Sequence, residues 1–344
     1  MPPINKALVR KVIQSGLGRP PETLFKHFDL HAFAAASLGQ VHAAMDNINT
    51  QLAVKIQYPG ISKTIENDMV MLRRMLSPII QNDQLAPMIE EIAARLNEEV
   101  DYVQEAAHVD YFGRHLSMEG VRIPQVMPEF SCRTILTTTR LPGKPLDRWI
   151  LDGPDQDARD KVAQKIQDIF IQGVYDLHVV HADPNPGNFI IDEDLTVGLI
   201  DYGCVKRLSP SFVDVYRRLV KSAYLGRERA HVEQMVAMGF IPEHSPESIK
   251  SRVQDVAIAI SRWLGRLCED DRFDFGAHHT FFHDGRKIMR DFNQLRKYVR
   301  INPDFLFLDR TRYGVLRIFE QMGARVRFRN PHEWDISLKR EVNS

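Results

Sequence analysis

Apolar residues recur at steps of three and four along much of the chain, the period of an amphipathic helix. Over residues 62–76 the stripe is Ile65, Met69, Leu72 and Leu76. Over 87–115 it is Ile89, Ile92, Leu96, Val100, Val103 and Ala107, with Pro87 in first-turn position. A third stripe, Val162, Ile166, Ile169, Phe170 and Val174, predicts a helix over 157–177. Shorter helices are predicted over 7–15 and 21–27. Between these helices the period drops to that of strands. AAASLGQVHA (34–43) reads as a small-residue loop running into a strand, NINT (47–50) as a turn, and LAVKIQ (52–57) as the returning strand. Residues 121–126, 134–139, 189–191 and 197–200 are further strand candidates, and the last two flank a turn at Asp192-Glu193-Asp194.

After Gly203 the pattern is almost wholly helical, most clearly over 213–225, 231–238, 245–264 and 312–322. Ser209 and Pro210 have the types of an N-cap and a first helical residue. A turn at Leu141-Pro142-Gly143 marks a boundary. The expected fold is α+β. Residues 1–140 form a small lobe with an antiparallel sheet and extra helices, and residues 141–344 a mainly helical lobe.

Composition adds exclusions. The 344 residues carry 45 basic and 45 acidic side chains, so net charge gives no general attraction to nucleic acid. Cys132, Cys204 and Cys268 are widely spaced, which argues against a disulfide framework or a structural zinc site. His278, His279 and His283 lack the companions of a familiar metal spacing. No apolar run is long enough to span a membrane, and the first residues lack the apolar segment of a signal peptide. The expected location is cytoplasmic, with peripheral contact at an inner membrane left open. Arg286, Lys287, Arg290, Arg296, Lys297 and Arg300 are basic positions that either face anionic lipid or form a solvated helix face.

The chemistry concentrates in HADPNPGNF (181–189) and LIDYG (199–203). Asp183 stands five residues before Asn188, and Asp201 follows an apolar strand thirteen residues later. One Asp to orient an attacking hydroxyl, then an Asn and a second Asp to hold Mg²⁺ on phosphates, is the set that phosphoryl transfer requires. Upstream, Lys55 lies in the strand AVKI (53–56), where an ammonium neutralises the α- and β-phosphates. Its helix partner is expected to be Glu105, with Glu99 and Asp101 as competitors. A strand Lys, a helix carboxylate, Asp-x4-Asn and Asp-aromatic-Gly, in that order, are the parts of a protein-kinase-like fold.

Two departures change the expected chemistry. Ala34, Ala35, Ala36 and Ser37 stand where a Gly-rich loop covers the phosphates, and Ala resists the close backbone approach that Gly allows. An activation segment is also missing: only residues 204–208 separate Gly203 from the next helix start, no Ala-Pro-Glu follows, and residue 182 is Ala rather than Arg. A small acceptor, or hydrolysis without an acceptor, is then favoured over a peptide substrate.

Taken together, AAASLGQVHAA, AVKIQYPGI, EEVDYVQEA, HADPNPGNF and LIDYG resemble, in order, the motifs of the UbiB/AarF family of atypical kinases, which includes the mitochondrial ubiquinone-biosynthesis kinases. The segment 302–311 is similar to that family's C-terminal region, so the likeness runs from about residue 20 to 330. It implies ATP or ADP binding with Mg²⁺ and ATPase more readily than protein kinase activity. It also implies a link to ubiquinone or isoprenoid-lipid metabolism, with quinone precursors and other quinone-biosynthesis proteins as partners. By position it assigns Ala34–Ala36 and Ser37 to the nucleotide-covering loop and Lys55 to the nucleotide lysine. Glu99 and Asp101 take the family's Glu-x-Asp motif, Glu105 the helix glutamate, and Asp183, Asn188 and Asp201 the catalytic and metal positions. The family's Lys-x-Gly-Gln motif does not occur in residues 1–33, so a truncated chain, a misassigned start and a divergent branch all stay open. Nor does the chain carry the C-terminal membrane span of some bacterial members. The alternative activities are a small-molecule phosphotransferase of the aminoglycoside or choline kinase type, and a nucleotide-binding pseudokinase scaffold.

Overall fold

The computed structural model describes residues 4–36, 38–77, 89, 92–93, 96, 100–240, 246–295, 298–299 and 302–334. The chain forms two compact units, one of 1–142 with 198–204 and one of 143–197 with 205–344. Asp201 therefore packs with the first unit, whereas the sequence expectation put it in the lobe of residues 141–344 beside Asp183 and Asn188.

In the first unit, His27–Ala36, Gly39–Met45, Gln51–Gln57 and Ile135–Thr139 form an antiparallel sheet in that spatial order. The alternation of small and branched side chains buries Leu52, Val54 and Ile56 against helix Lys6–Leu17 through Val9 and Ile13. Ala34–Ala36 were expected in a loop. They are instead the exposed end of the first strand, paired with Val41, Gln40 and Gly39. The ladder of backbone hydrogen bonds overrides the low strand preference of Ala. Asp46 closes the next turn by accepting from the backbone N–H groups of Ile48 and Thr50. The strand expected over 121–126 shrinks to Val121–Arg122.

Helix Ile61–Leu76 follows the predicted stripe, with Ile61 and Ile65 buried. The long helix expected over 87–115 does not continue through residue 101. Asp101 is the N-cap of a separate helix, Tyr102–His115, its carboxylate accepting from the Gln104 N–H at 3.0 Å. The break resets the helical phase. Val103, expected to be buried, is 60% exposed, and the inward face is Tyr102, Glu105, Val109 and Phe112.

The second unit is built on helices. Gln156–Gln172 passes into a π-turn, Gly173–Leu177, ended by His178 at φ 52°. Strand Val179–His181 pairs with Val205–Arg207, and Lys144–Pro145 pairs with Phe189–Ile191. Helices Pro210–Tyr224, Glu228–Ala237, Glu247–Gly265, Phe281–Leu295 and Pro303–Met322 follow. Ser209 caps the first of these as expected, accepting from Phe212 N–H. The last begins nine residues earlier than the stripe 312–322 predicted, where Asn302 caps it and Pro303 starts it.

Candidate functional site

The first unit gathers three of the expected residues. Lys55 projects from strand Gln51–Gln57 toward Glu105 on helix Tyr102–His115, and its Nζ donates to both Glu105 carboxylate oxygens at 2.9 Å. Asp201 Oδ2 lies 3.4 Å from the same Nζ. Burial disfavours the Lys55 ammonium, but the Glu105 and Asp201 carboxylates outweigh it and hold its pKa above the ordinary lysine range. Burial pushes the Glu105 carboxyl upward, against the pull of Lys55. With the forked contact and a third donor, Tyr202 N–H at 3.3 Å, the pair is ionic. Glu99 lies outside the described residues. The Asp101 side chain is exposed and engaged at the helix start, so of the two described candidates Glu105 is the one at Lys55.

Asp201 adopts φ 62°, a left-handed conformation that Asp tolerates better than most residues. Neighbours hold that turn. Gly203 N–H donates to Asp201 Oδ1 at 3.1 Å, and the fully buried Tyr202 ring packs 5.2 Å from that of Phe112. His108 Nδ1–H donates to the Tyr202 carbonyl at 3.1 Å. The helix that carries Glu105 thus also carries the turn that carries Asp201. Residue patterns alone did not single out Tyr102 or His108, and marked Tyr202 only as the aromatic of Asp-aromatic-Gly. Lys55 Nζ sits 5.1 Å from the Tyr102 ring centroid, a cation–π contact. Gly39 is needed because a Cβ there would lie 2.3 Å from the Ile56 carbonyl oxygen, one residue from Lys55.

The second unit holds the other pair. Asn185 caps a short 3₁₀ turn, Pro186–Asn188, which turns the Asn188 side chain back on Asp183. The Asn188 amide donates to Asp183 Oδ2 at 2.8 Å and to the Asp183 carbonyl at 3.2 Å. Both acceptors only accept, which fixes the amide orientation and leaves Asn188 Oδ1 as the oxygen open to a cation. A further residue positions this loop. At Gly314, on helix Pro303–Met322, a Cβ would come within 2.2 Å of Pro184 Cγ. Only a glycine lets that helix press against the residue after Asp183, and no sequence pattern marked it.

Ala34–Ala36 stand at the hairpin end as described above, and Ser37 lies outside the described residues. Among the basic positions, Arg286, Lys287 and Arg290 are exposed, and 296, 297 and 300 lie outside the described residues. Among the described residues, no helix is long and apolar enough to cross a membrane.

Comparison with known proteins bears on the family and the fold. The family described as the ABC1 atypical kinase-like domain matches residues 1–236. The atypical kinase coq-8 of Caenorhabditis elegans mitochondria is 31% identical over 68% of this chain and 32% of its own length. The chloroplastic ACTIVITY OF BC1 COMPLEX KINASE 7 of Arabidopsis thaliana is 28% identical over 90% of this chain and 47% of itself. The mitochondrial atypical kinase COQ8 of Saccharomyces cerevisiae is 28% identical over 78% of this chain and 54% of itself. The chain thus spans about a third to about half the length of these curated relatives. Among solved structures, the Rv3197–erythromycin complex of Mycobacterium tuberculosis superposes with a TM-score of 0.76 at 22% identity, covering 95% of this chain and 81% of that one. That likeness shows the fold, which is kinase-like.

Proposed function

The chain belongs to the ABC1 atypical kinase-like family, and from that premise we propose that it binds ATP or ADP with Mg²⁺ and acts as an ATPase or small-molecule kinase. The observation that carries this reading is the buried Lys55–Glu105 pair with Asp201 3.4 Å from the ammonium. A lysine held charged, fixed by a buried carboxylate and adjoining a second carboxylate, suits nucleotide phosphates and their metal.

The chemistry of the two proposed donors suits Mg²⁺: Asp201 supplies a carboxylate and Asn188 an amide oxygen, both hard oxygen ligands. When bound, Mg²⁺ neutralises charge that develops on the transferring phosphoryl group. Lys55 binds the α- and β-phosphates, and Glu105 keeps its ammonium in place. Asp183, steadied by the Asn188 amide, orients water or a small acceptor and accepts its proton. Asp101 and the Ala34–Ala36 strand end complete the nucleotide surface, with Ser37 and Glu99 as their sequence neighbours. The metabolic setting proposed is ubiquinone or isoprenoid-lipid biosynthesis, with a quinone precursor as acceptor or effector, quinone-biosynthesis proteins as partners, and peripheral attachment to a membrane.

The test is nucleotide binding by thermal shift. Mg²⁺-ATP is expected to raise Tm, because a ligand of the native state stabilises it. Asp201→Asn, which keeps a residue tolerant of positive φ, is expected to remove the Mg²⁺ dependence while preserving the fold. Undiminished Mg²⁺-dependent binding in that variant overturns the assignment. ATP turnover measured with and without lipid separates the enzyme from a scaffold.

A further inference from the structure

A cavity of about 70 Å³ lies among helices of the second unit. That is roughly five times the room that admits one water. Its walls are apolar, with Leu219, Met235, Phe240 and Phe292 from a buried cluster. His231, Asp309, Tyr216 and Arg312 interrupt them with polar groups.

His231 is 1% exposed. Its Nδ1 lies 3.1 Å from the Leu219 carbonyl, which only accepts, so Nδ1 carries the ring proton. Ser222 also donates to that carbonyl and sits 3.2 Å from Nδ1. Nε2 is then a buried acceptor, and no described residue donates to it. A buried acceptor with no donor is costly, and most such groups in folded proteins are satisfied. Asp309 adds a second acceptor. Its nearest cation, Arg312, is already committed to the Tyr216 and Tyr224 hydroxyls and to Glu333. The cavity thus combines an apolar body with one buried acceptor, His231 Nε2, that lacks a donor among the described residues.

We propose that this cavity binds a slender aliphatic molecule with a hydrogen-bond-donating head, a primary alcohol or primary amine, whose head donates to His231 Nε2 while the chain fills the apolar walls. With the Arg312 guanidinium spent on Tyr216, Tyr224 and Glu333, the unpaired His231 acceptor and the Asp309 carboxylate disfavour a carboxylate head, which brings no donor at neutral pH. Nothing in the Lys55 or Asp183 clusters takes part, so this site is independent of nucleotide binding.

The experiment is ligand-observed saturation-transfer NMR on the full chain with octan-1-ol, octan-1-amine and octanoate. Octanol and octylamine are expected to bind at least about ten-fold more tightly than octanoate, the worth of one good hydrogen bond. Met289→Trp, at the partly exposed mouth of the cavity, is expected to abolish the alcohol signal and to leave the Mg²⁺-ATP thermal shift unchanged. His231→Leu, which keeps an apolar wall and removes the acceptor, is expected to weaken octanol about ten-fold. Should His231→Leu fail to fold, the Met289→Trp variant and the head-group series decide the question. Equal binding of alcohol and carboxylate, or octanol binding unaltered by Met289→Trp, overturns the proposal.

Discussion

Lys55 shows how much one side chain depends on its neighbours. Its side chain is 13% exposed, and its ammonium has two carboxylates within 3.4 Å. Lys55→Met removes charge-assisted contacts to phosphate of about 1.5–3 kcal/mol. Mg²⁺-ATP affinity is therefore expected to fall about ten- to hundred-fold by calorimetric titration. Gly314 acts through Pro184 instead. Gly314→Ala forces a Cβ into Pro184 and is expected to cost about 1–3 kcal/mol of stability by overpacking. A loop displaced by an ångström lowers turnover up to about a hundred-fold, while nucleotide binding through Lys55 changes little. A steady-state split of kcat from KM for ATP checks this. Lys55, Asp183, Asn188 and Asp201 were legible as candidates because the phosphate chemistry proposed for them calls for those types at those spacings. Gly314 was not, since a glycine inside a helical pattern gives no sign of what its missing side chain makes room for.

Among the elements, helix Tyr102–His115 does the most. It caps itself with Asp101, holds Lys55 with Glu105 and anchors the Asp201 turn through His108 and Phe112. Asp101→Ala is expected to cost about 1 kcal/mol in urea denaturation and Asp101→Asn almost nothing, since Asn caps as well as Asp. The apolar period read through residue 100 misplaced this helix because it assumed one continuous phase. Helix Pro303–Met322 and helix Glu228–Ala237 bring an opposed pair of titrations to the cavity. Burial lowers the His231 pKa to about 4 and raises that of Asp309 to about 6. At pH 5 the unfolded chain binds one more proton than the native chain at His231 and one fewer at Asp309. His231 therefore contributes stability that is full above its unfolded pKa and lost as pH falls toward 4. Asp309 contributes stability that is full below its unfolded pKa and lost as pH rises toward 6. The two slopes oppose each other. In Asp309→Asn the His231 slope stands alone, and stability is expected to rise by up to about 1.4 kcal/mol per pH unit between pH 4 and 6.5, measured by urea denaturation. A slope no different from wild type refutes the pairing.

On the scale of the molecule, the second unit is tied together by one buried hub. Arg312 reaches the Tyr216 and Tyr224 hydroxyls at 2.9 and 3.0 Å and pairs with Glu333, which also accepts from Tyr175 at 2.5 Å. Three helical segments and the chain beyond strand Arg325–Val326 meet there. Arg312 and Glu333 are almost fully buried, so removing one partner strands the other charge. Glu333→Leu is expected to destabilise by about 3–5 kcal/mol, read as a lowered denaturation midpoint. The double change Arg312→Met with Glu333→Leu is expected to recover part of that loss. Nothing in the sequence pointed to this pair, because a contact across 21 residues leaves no periodic trace.

The sequence by itself determined the candidate residues and their order: a strand lysine, a helix glutamate, Asp-x4-Asn, Asp-Tyr-Gly, and helices after them. Those features are local, set by side-chain type, short spacing and apolar period. Tertiary structure decided which carboxylate meets Lys55, that Asp101 caps a helix, that Ala34–Ala36 pair as a strand end, and that Asp201 packs within the first unit. Each of these turns on which distant segments pack together, and burial and hydrogen-bond completion settle that only when the whole chain is folded.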